Sequence, residues 1–445
     1  MKIINTIKVF LEMTYYWIIC LATLVALSSP LKGQFWSKTF GGNESELAHD
    51  VLASNEGGSY AFGTTYSYDN SDFYLIKVDS LGNLIWSQTY GTAQDEVGYA
   101  LAISKTGDLF LTGTTGINNK GSLVIKVDSQ GAVIWNKGIN TGSGTELREV
   151  IATSDNGCFL VGSNTNPSSN FQLEVILFKL DSLGNIEWSK HHDNYPDGSF
   201  ATSALEMDNC FLVGGDIISS TSSNNLSFIA SFDKSGNLLW KRAIGSGGAI
   251  GLVQVDTNTV VFANRKGPFS IDAQLHKIKS DSILIWTKSV ISGMGANNYF
   301  TDIEITNDGG MVLVGEIKPF SYQFPIAYIA KVDSLSNLIY TRQYGGYGRQ
   351  GKHLAYGVSK SEVDDSYFVC GSSINYNLPT IHSDLLLMKV DEQGFIGLDE
   401  LEAKERELIR TTDFMGIEVK HDAMFKPLLR YYSDGTVEKV FIIPN

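Results

Sequence analysis

The side chains that could carry catalysis or bind a metal are scattered through this sequence. Only two of its seven histidines, His191 and His192, are adjacent, and they lie near a predicted connection between strands. Such a doublet is more often part of a solvated loop than a pair of metal ligands. Beyond residue 33 there is no Gly-x-Ser-x-Gly, His-Glu-x-x-His, phosphate-loop or Cys-x-x-Cys motif. The sequence therefore predicts no catalytic residue, no cofactor and no metal site.

Carboxylates are too numerous to indicate a site by themselves. The chain has 48 acidic and 34 basic residues and a net charge of −14, and no pair stands out as the acid and base of a glycosidase. A chain that binds a phosphate backbone needs a basic surface. The composition therefore argues against nucleic acid as a partner.

The clearest pattern is a ten-residue segment that recurs seven times, with starts 46 to 58 residues apart. This period is typical of repeats that form four-stranded units of ~40–50 residues. The copies are KVDSLGNLIW (77–86), KVDSQGAVIW (126–135), KLDSLGNIEW (179–188), SFDKSGNLLW (231–240), KIKSDSILIW (277–286), KVDSLSNLIY (331–340) and KVDEQGFIGL (389–398).

Each unit alternates short apolar strands with turn residues, and no stretch has a helical pattern. In the first unit the predicted strands are 48–54, 59–65, 73–79 and 84–90, and the segment 79–83 is a hairpin turn. A glycine near the end of the second strand recurs and indicates a close approach of two backbones. Its positions are Gly63, Gly113, Gly162, Gly214, Gly315 and Gly371.

The two ends of the repeat complete one another. The seventh unit lacks a fourth strand, whereas a spare strand at 35–40 precedes the first unit. Pairing the two would leave no open end to the array. The sequence therefore predicts an all-β fold, a seven-bladed β-propeller of four-stranded blades with N-to-C strand closure, plus a small C-terminal β appendage.

The segment Asp-x-x-Gly-Asn-x-x-Trp resembles the tryptophan-docking repeat of quinoprotein-type propellers, although its Asp-to-Trp spacing is one residue shorter. It is more similar to secreted bacterial repeats of the form W-x-K-T-Y-G-G followed by K-x-D-x-x-G-N-x-x-W. A quinone cofactor is the hypothesis ranked last, because the likeness lies in packing residues. The resemblance implies that the recurring aromatics pack neighbouring blades: Trp36, Trp86, Trp135, Trp188, Trp240, Trp286 and Tyr340.

Recurring charges suggest a second repeated contact. We expect the recurring lysines to form ion pairs between blades with Asp50, Glu149 and Asp302, because partly buried carboxylates need a partner. The alternative is a cation site on the axis, which would require convergent oxygens. The lysines are Lys77, Lys126, Lys179, Lys277, Lys331 and Lys389.

Topology predicts which face binds a ligand. In an up-and-down blade the short, uniform turns lie on one face, which we call the short-turn face. The variable connections lie on the opposite face, which we call the loop face. Variable loops on a rigid ring are the usual location of binding. The connections are 66–72, 164–170, 217–225, 265–272, 318–325 and 374–383. Their aromatics could form a sugar or peptide platform or pack on their own blades: Tyr66, Tyr68, Phe320, Tyr322, Phe324 and Tyr376.

The first 33 residues have the pattern of a secretory signal peptide. Lys2 and Lys8 precede an uncharged stretch at 13–31, and 26–28 offers a small-residue cleavage site. An uncleaved anchor helix is the alternative, whereas cleavage leaves no transmembrane segment. Three cysteines would then remain, an odd number that cannot form a complete disulfide framework: Cys158, Cys210 and Cys370.

The last 35 residues resemble the end of a type IX secretion sorting domain. Ile417 stands where that family commonly has Arg, and the usual Pro-Asn-Pro strand is missing, so the copy is degenerate. The resemblance implies that secretion and sorting machinery are partners and that the protein is secreted or displayed outside the outer membrane of a gram-negative bacterium. The matching residues are Asp413, Gly416, Glu418, Tyr432, Asp434, Gly435, Thr436 and Lys439.

These patterns predict a signal peptide (1–33), a propeller (34–398), a charged linker (399–410) and a degenerate sorting domain (411–445). The leading hypothesis for function is a monomeric, exported or cell-surface binding or scaffold module with a glycan or protein ligand on the loop face. The alternative is a secreted enzyme that acts on polysaccharide through catalytic residues in its loops.

Overall fold

A computed structural model of the chain describes residues 35–66, 70–116, 121–141, 144–166, 172–192, 195, 197–218, 226–265, 272–290, 297–318, 325–345, 352–374, 382–396, 408–413, 427–432 and 437–441. The predicted signal peptide lies outside these residues. The chain divides into two compact units, and the boundary falls between Phe395 and Ile396.

The first unit is built from four-stranded antiparallel sheets, each of which is one blade. The strands of the first four blades are β2 (Glu46–Ala53), β3 (Ser59–Thr65), β4 (Asp72–Val78), β5 (Leu84–Tyr90), β6 (Glu96–Ile103), β7 (Leu109–Thr115), β8 (Gly121–Val127), β9 (Val133–Ile139), β10 (Thr145–Ala152), β11 (Cys158–Asn166), β12 (Gln172–Leu180), β13 (Ile186–His192), β14 (Ser199–Glu206), β15 (Cys210–Ile217), β16 (Leu226–Asp233) and β17 (Leu238–Ser246).

The remaining strands follow the same pattern. They are β18 (Ala249–Asp256), β19 (Thr259–Arg265), β20 (Ala273–Lys279), β21 (Leu284–Val290), β22 (Asn297–Ile305), β23 (Met311–Lys318), β24 (Ile326–Val332), β25 (Leu338–Tyr344), β26 (Lys352–Lys360), β27 (Tyr367–Ile374) and β28 (Ser383–Val390). The first strands of neighbouring blades contact one another in turn, from β2 through β6, β10, β14, β18, β22 and β26 and back to β2. These inner strands therefore surround a central channel, and the predicted seven-bladed propeller is confirmed.

The hydrophobic cores lie between neighbouring blades. The second and third strands of a blade are covered on both faces, so every residue of β3 is buried, whereas most of the outer strand β5 is exposed. Between the third and fourth blades, the rings of Phe159 and Phe211 stack with their centroids 4.2 Å apart. Apolar runs on the middle strands are therefore what this architecture requires.

The ring closes through a strand from the N-terminal end of the described chain. Strand β1 (Trp36–Phe40) pairs antiparallel with β28, with Trp36 opposite Lys389 and Phe40 opposite Leu385. The last blade thus has the strand order β1-β28-β27-β26. This is the closure that the spare segment at 35–40 predicted.

One aromatic ring per blade docks on the turn between the third and fourth strands of the next blade. The indole of Trp135 donates its Nε1–H to the Ser182 carbonyl at 3.1 Å, and its ring covers Gly184, which has a φ of 82°. A Cβ at Gly184 would lie 2.9 Å from that ring. Trp36, Trp188 and Trp240 make the equivalent hydrogen bond, so the predicted packing role of the recurring aromatics is confirmed.

In six of the seven repeats an aspartate shapes the turn on which the ring docks, whereas the fifth repeat has Lys279 at this position. Asp181 accepts hydrogen bonds from the backbone N–H groups of Leu183 at 2.9 Å and Asn185 at 2.8 Å. These bonds close the turn and hold the glycine in its left-handed conformation. The same pair of bonds occurs at Asp79, Asp128, Asp233, Asp333 and Asp391.

The second unit contains a three-stranded antiparallel sheet, formed by β29 (Leu408–Asp413), β30 (Pro427–Tyr432) and β31 (Val437–Phe441). It is the small C-terminal β appendage that the sequence predicted. Three residues of the sorting motif, Asp413, Tyr432 and Lys439, lie in its strands. The others, Gly416, Glu418, Asp434, Gly435 and Thr436, fall outside the described residues.

Deletion of residues 34–40 should open the ring. We expect the free energy of unfolding to fall by more than about 4 kcal/mol, because loss of a buried large aromatic such as Trp36 alone costs ~3–5 kcal/mol. Urea unfolding of the otherwise full-length chain, followed by circular dichroism, measures the change. Ser37→Ala, at an exposed position of β1, is the control and should cost less than about 0.5 kcal/mol. An unchanged unfolding curve after the deletion would disprove closure.

Gly184→Ala separates the two reasons for a glycine in the docking turn. Gly107 has a similar φ of 87°, but a Cβ added there would have no other atom within 4 Å, so Gly107→Ala should cost only the ~1–2 kcal/mol of a left-handed backbone. Gly184→Ala must in addition displace Trp135 and should cost a further 1–3 kcal/mol, roughly. Chemical denaturation measures both, and equal losses would contradict docking at Gly184.

Candidate functional site

Every innermost strand is interrupted by a β-bulge at the same position. The residue opposite the bulge is a glycine in most blades, because a Cβ there would collide with the bulged backbone. At Gly63 it would lie 1.9 Å from the Leu47 carbonyl oxygen. The close approach predicted for the recurring glycines is confirmed, but in the fourth blade the glycine is Gly215 and not Gly214. The bulged residues are His49, Tyr99, Arg148, Thr202, Ile250, Thr301 and Tyr356.

Three of these bulged residues bring their rings together across blades seven, one and two. The imidazole of His49 stacks on Tyr356 with centroids 5.7 Å apart and meets Tyr99 edge-on at 5.9 Å. Burial lowers the pKa of His49 to about 4, so its imidazole is neutral near pH 7. The three side chains form a continuous aromatic arc on the channel wall.

Two arginines continue the arc through the other blades. The Arg148 guanidinium lies over the Tyr99 ring at 5.7 Å and over the Phe200 ring at 5.3 Å. The Arg265 guanidinium lies over the Tyr299 ring at 5.5 Å. Each blade thus contributes one ring or guanidinium to a set that we call the channel ring: Tyr356, His49, Tyr99, Arg148, Phe200, Arg265 and Tyr299.

The channel ring lies in the loop-face half of the channel. The innermost strands begin at the loop face, and Phe200 and Tyr299 are the second and third residues of β14 and β22. Arg265 is the last residue of β19, which runs back to the same face. All seven members are half-buried and keep part of their surface open to solvent.

A buried carboxylate lies between the two arginines. Asp216 is 7% exposed and accepts a hydrogen bond from the Ala249 N–H at 2.6 Å. Burial raises its pKa to about 6, against the opposing effects of this bond and of the charges of Arg265 and Arg148. Both guanidiniums are therefore within electrostatic range of one side chain of the fourth blade.

The predicted pairing of the recurring lysines with Asp50, Glu149 and Asp302 is wrong. These carboxylates accept hydrogen bonds from backbone N–H groups near the axis instead. Asp50 binds Val51 at 2.7 Å and, in the next blade, Leu101 at 2.9 Å. Burial raises the pKa of Asp50 to about 6 and those of Glu149 and Asp302 well above their usual range.

The lysines bind carboxylates of their own blades, on the turns between the first and second strands. Lys126 contacts Asp108 at 3.0 Å and Lys389 contacts Asp364 at 2.9 Å. Both ammonium groups also lie over an aromatic ring of the second strand, at 5.2 and 5.3 Å from its centroid. The same arrangement within one blade joins Lys77 to Glu56, Lys179 to Asp155 and Glu187, and Lys331 to Asp308.

The histidine doublet lies at the end of strand β13 and not in a loop. His191 contacts Glu174 at 2.8 Å, whereas the His192 ring lies 4.7 Å from that of Phe232. Neighbouring residues of a strand point to opposite faces. The two imidazoles therefore do not face a common ligand.

A cleft of about 510 Å³ opens on the short-turn face at blades two, three and four. Its walls carry Lys105, Glu206 and Lys234 over an apolar floor that includes Met207. Glu206 binds Lys234 at 2.8 Å and the Ser154 N–H at 2.7 Å. The fourth copy of the repeat, which includes Lys234, has Ser231 in place of the recurring lysine.

Most of the variable loop-face connections lie outside the described residues, together with Tyr68, Phe320, Tyr322, Phe324 and Tyr376. Tyr66, which is described, is 43% exposed.

No three His, Cys, Asp or Glu side chains of the described residues come close enough together to hold a metal ion. Cys158, Cys210 and Cys370 are buried free thiols. Within the described ranges there is no helix of the length and apolarity that crossing a membrane requires.

Asp216 should make a contribution to stability that decreases as the pH rises. Its folded pKa of about 6 exceeds the ordinary 3.8, so this contribution is complete below pH ~4 and is lost as the pH passes 6, a total of roughly 2–3 kcal/mol. Asp216→Asn keeps an oxygen acceptor for the Ala249 N–H but does not titrate. Relative to the native chain, the variant should therefore gain stability between pH 4 and 7.5 in urea unfolding. If the stabilities of the variant and of the native chain changed with pH in parallel, the raised pKa of Asp216 would be contradicted.

No protein-family model and no curated protein matches the chain. Similar solved structures include the Dos1 propeller, with 12% identity, a TM-score of 0.47 and coverage of 80% of this chain and 95% of that one. Sqt1 from Chaetomium thermophilum has 13% identity, a TM-score of 0.43 and coverage of 80% of this chain and 99% of that one. A protein of unknown function from Dyadobacter fermentans has 12% identity, a TM-score of 0.46 and coverage of 81% of this chain and 99% of that one. The assignment of the fold rests on the strand pairing described above.

Proposed function

We propose that the chain is an exported β-propeller that acts as a binding module and holds its ligand at the loop-face mouth of the central channel. The observation that carries the proposal is the channel ring, to which every blade contributes one ring or guanidinium. The bulge recurs in all blades, whereas the types of side chain in the ring differ. The bulge presents Tyr356, His49, Tyr99 and Arg148, whereas Phe200, Arg265 and Tyr299 come from other positions. A varied set of recognition groups around one channel suits the binding of one particular ligand.

The surroundings of the channel ring support this proposal. Docked tryptophans and ion pairs within individual blades tie down the short-turn face, so the inner strands form a firm support. The connections of variable length lie on the same side as the channel ring, where they can add contacts to a ligand. Aromatic side chains give large contact areas with few rotatable bonds, which suits recognition.

The test is binding of the purified full-length chain to arrays of immobilised glycans and peptides. We expect binding to a restricted set of probes, and Tyr299→Ala should weaken it at least tenfold because that variant removes one wall of the channel mouth. Lys105→Ala, in the cleft on the short-turn face, is the matched control and should bind like the native chain. Circular dichroism and the melting temperature verify that both variants fold.

Two results would contradict the proposal. Loss of binding in Lys105→Ala together with full binding in Tyr299→Ala would place the ligand on the short-turn face. Release of reducing sugar from a bound polysaccharide would favour the alternative of a secreted enzyme.

We also propose that residues 1–33 direct export and that residues 411–445 direct passage through the outer membrane. The support is the resemblance of these segments to a signal peptide and to a type IX sorting domain. In a gram-negative bacterium with type IX machinery, the full-length chain should reach the surface or the medium, and a chain without 411–445 should stay in the periplasm. The full-length chain in a strain without the machinery is the control, and equal surface display of both chains would refute the role of the tail.

A further inference from the structure

The arrangement of charge and aromatic surface at the channel mouth identifies the class of ligand. We propose, on the basis of the binding function above, that the ligand is a glycan with carboxylate-bearing sugars. Its carboxylate would bind at Arg148 and Arg265, and its sugar rings would pack on the aromatic members of the channel ring.

Arg148 has hydrogen-bonding capacity that the described residues do not use. Its Nη2 donates to Glu146 at 2.8 Å, whereas its buried Nε–H has no hydrogen-bond partner among the described residues. The side chain as a whole is 38% exposed. A guanidinium presents its N–H groups in a planar fork that fits a carboxylate, and a buried donor left without an acceptor is unfavourable. A ligand carboxylate would approach the exposed side of the guanidinium, since the Nε atom itself is buried.

Arg265 supplies a second positive charge in the neighbouring part of the ring. Its Nε–H donates to the Phe300 carbonyl at 3.3 Å, and its guanidinium lies over Tyr299. Asp216, between the arginines, is directed to the Ala249 N–H. Glu146 and Asp216 offset part of this positive charge, and an anion would meet the part of the two arginine side chains that stays open to solvent.

The aromatic members favour a sugar over other anions. Tyr99, Phe200 and Tyr299 are half-buried, and flat rings of this kind pack against the C–H faces of sugars. Glu146 accepts a hydrogen bond from the Tyr99 hydroxyl at 3.3 Å, and such carboxylates are ready acceptors for sugar hydroxyls. Alternating aromatic, cationic and acceptor groups match a ring that carries both hydroxyls and a carboxylate.

The experiment uses matched sugars that differ only in charge. Isothermal titration calorimetry of the full-length chain is performed with uronate- and sialate-bearing oligosaccharides and with their carboxyl-reduced counterparts. We expect the reduced sugars to bind at least tenfold more weakly. Arg148→Gln should weaken binding of the acidic sugars at least tenfold and remove this discrimination, whereas Phe200→Leu should weaken both kinds. Lys105→Gln should change neither.

The possible failures are distinguishable. Equal binding of acidic and reduced sugars, with loss in Phe200→Leu, would overturn the carboxylate specificity and leave the binding function at the channel mouth intact. Binding of an acidic peptide with no binding of any sugar would overturn the glycan class alone. If binding of every probe is insensitive to both Arg148→Gln and Phe200→Leu, the proposed function fails as well. Native melting temperatures of the variants exclude misfolding as the cause.

Discussion

The docking of one aromatic ring onto the glycine turn of the next blade is the contact on which the rest of the structure depends. A single blade cannot bury both of its faces, and stacking against neighbours supplies the missing contacts. The Trp135 indole is held both by the Ser182 carbonyl and by the absence of a side chain at Gly184. Hydrogen bonds to Asp181 hold this turn in place. A repeat segment therefore carries both an aromatic ring that docks on the next blade and a turn that receives the ring of the preceding blade.

At the other end of each blade, a second glycine positions the candidate site. The bulge in the inner strand requires the space that Gly63 and its equivalents leave. The edge of an inner strand has no further strand to pair with, and its N–H groups need acceptors. Asp50 and Asp302 supply them across neighbouring blades, to Leu101 and Val358. The bulges and these carboxylates together shape the channel wall that carries the channel ring.

Much of the fold could be predicted from the sequence because its determinants are local and repeated. The Asp-x-x-Gly-Asn-x-x-Trp segment marks the turns, and the absence of a fourth strand from the seventh unit predicts closure. The ion pairs could not be assigned in this way, because a lysine has several carboxylates at similar distance along the chain. Lys126 contacts Asp108 at 3.0 Å, and the separation of the two residues along the sequence does not distinguish this pair from other lysine–carboxylate pairs.

The channel ring was missed for a related reason. Its members differ in type from blade to blade, so self-alignment does not detect them, and a bulge shifts the alternation that would place a residue on one face. The one available signal was the recurring glycine, since a glycine inside a strand often marks a bulge. In most blades the bulge lies on the strand that pairs with one of these glycines, as Arg148 does beside the partner of Gly162. The glycines would therefore have located most of the bulged positions.

Because β1 belongs to the last blade, ring closure pairs the first described strand of the chain with the last strand of the first unit. Blades one to six can form from hairpins between consecutive strands as the chain emerges from a ribosome or a translocation channel. The seventh cannot be completed until β28 follows, because until then the backbone of β1 has no strand to pair with. Contacts that join such distant residues form late and slowly. The order of synthesis therefore makes closure the final step in forming the ring, and a chain truncated before β28 (Ser383–Val390) would remain an open array.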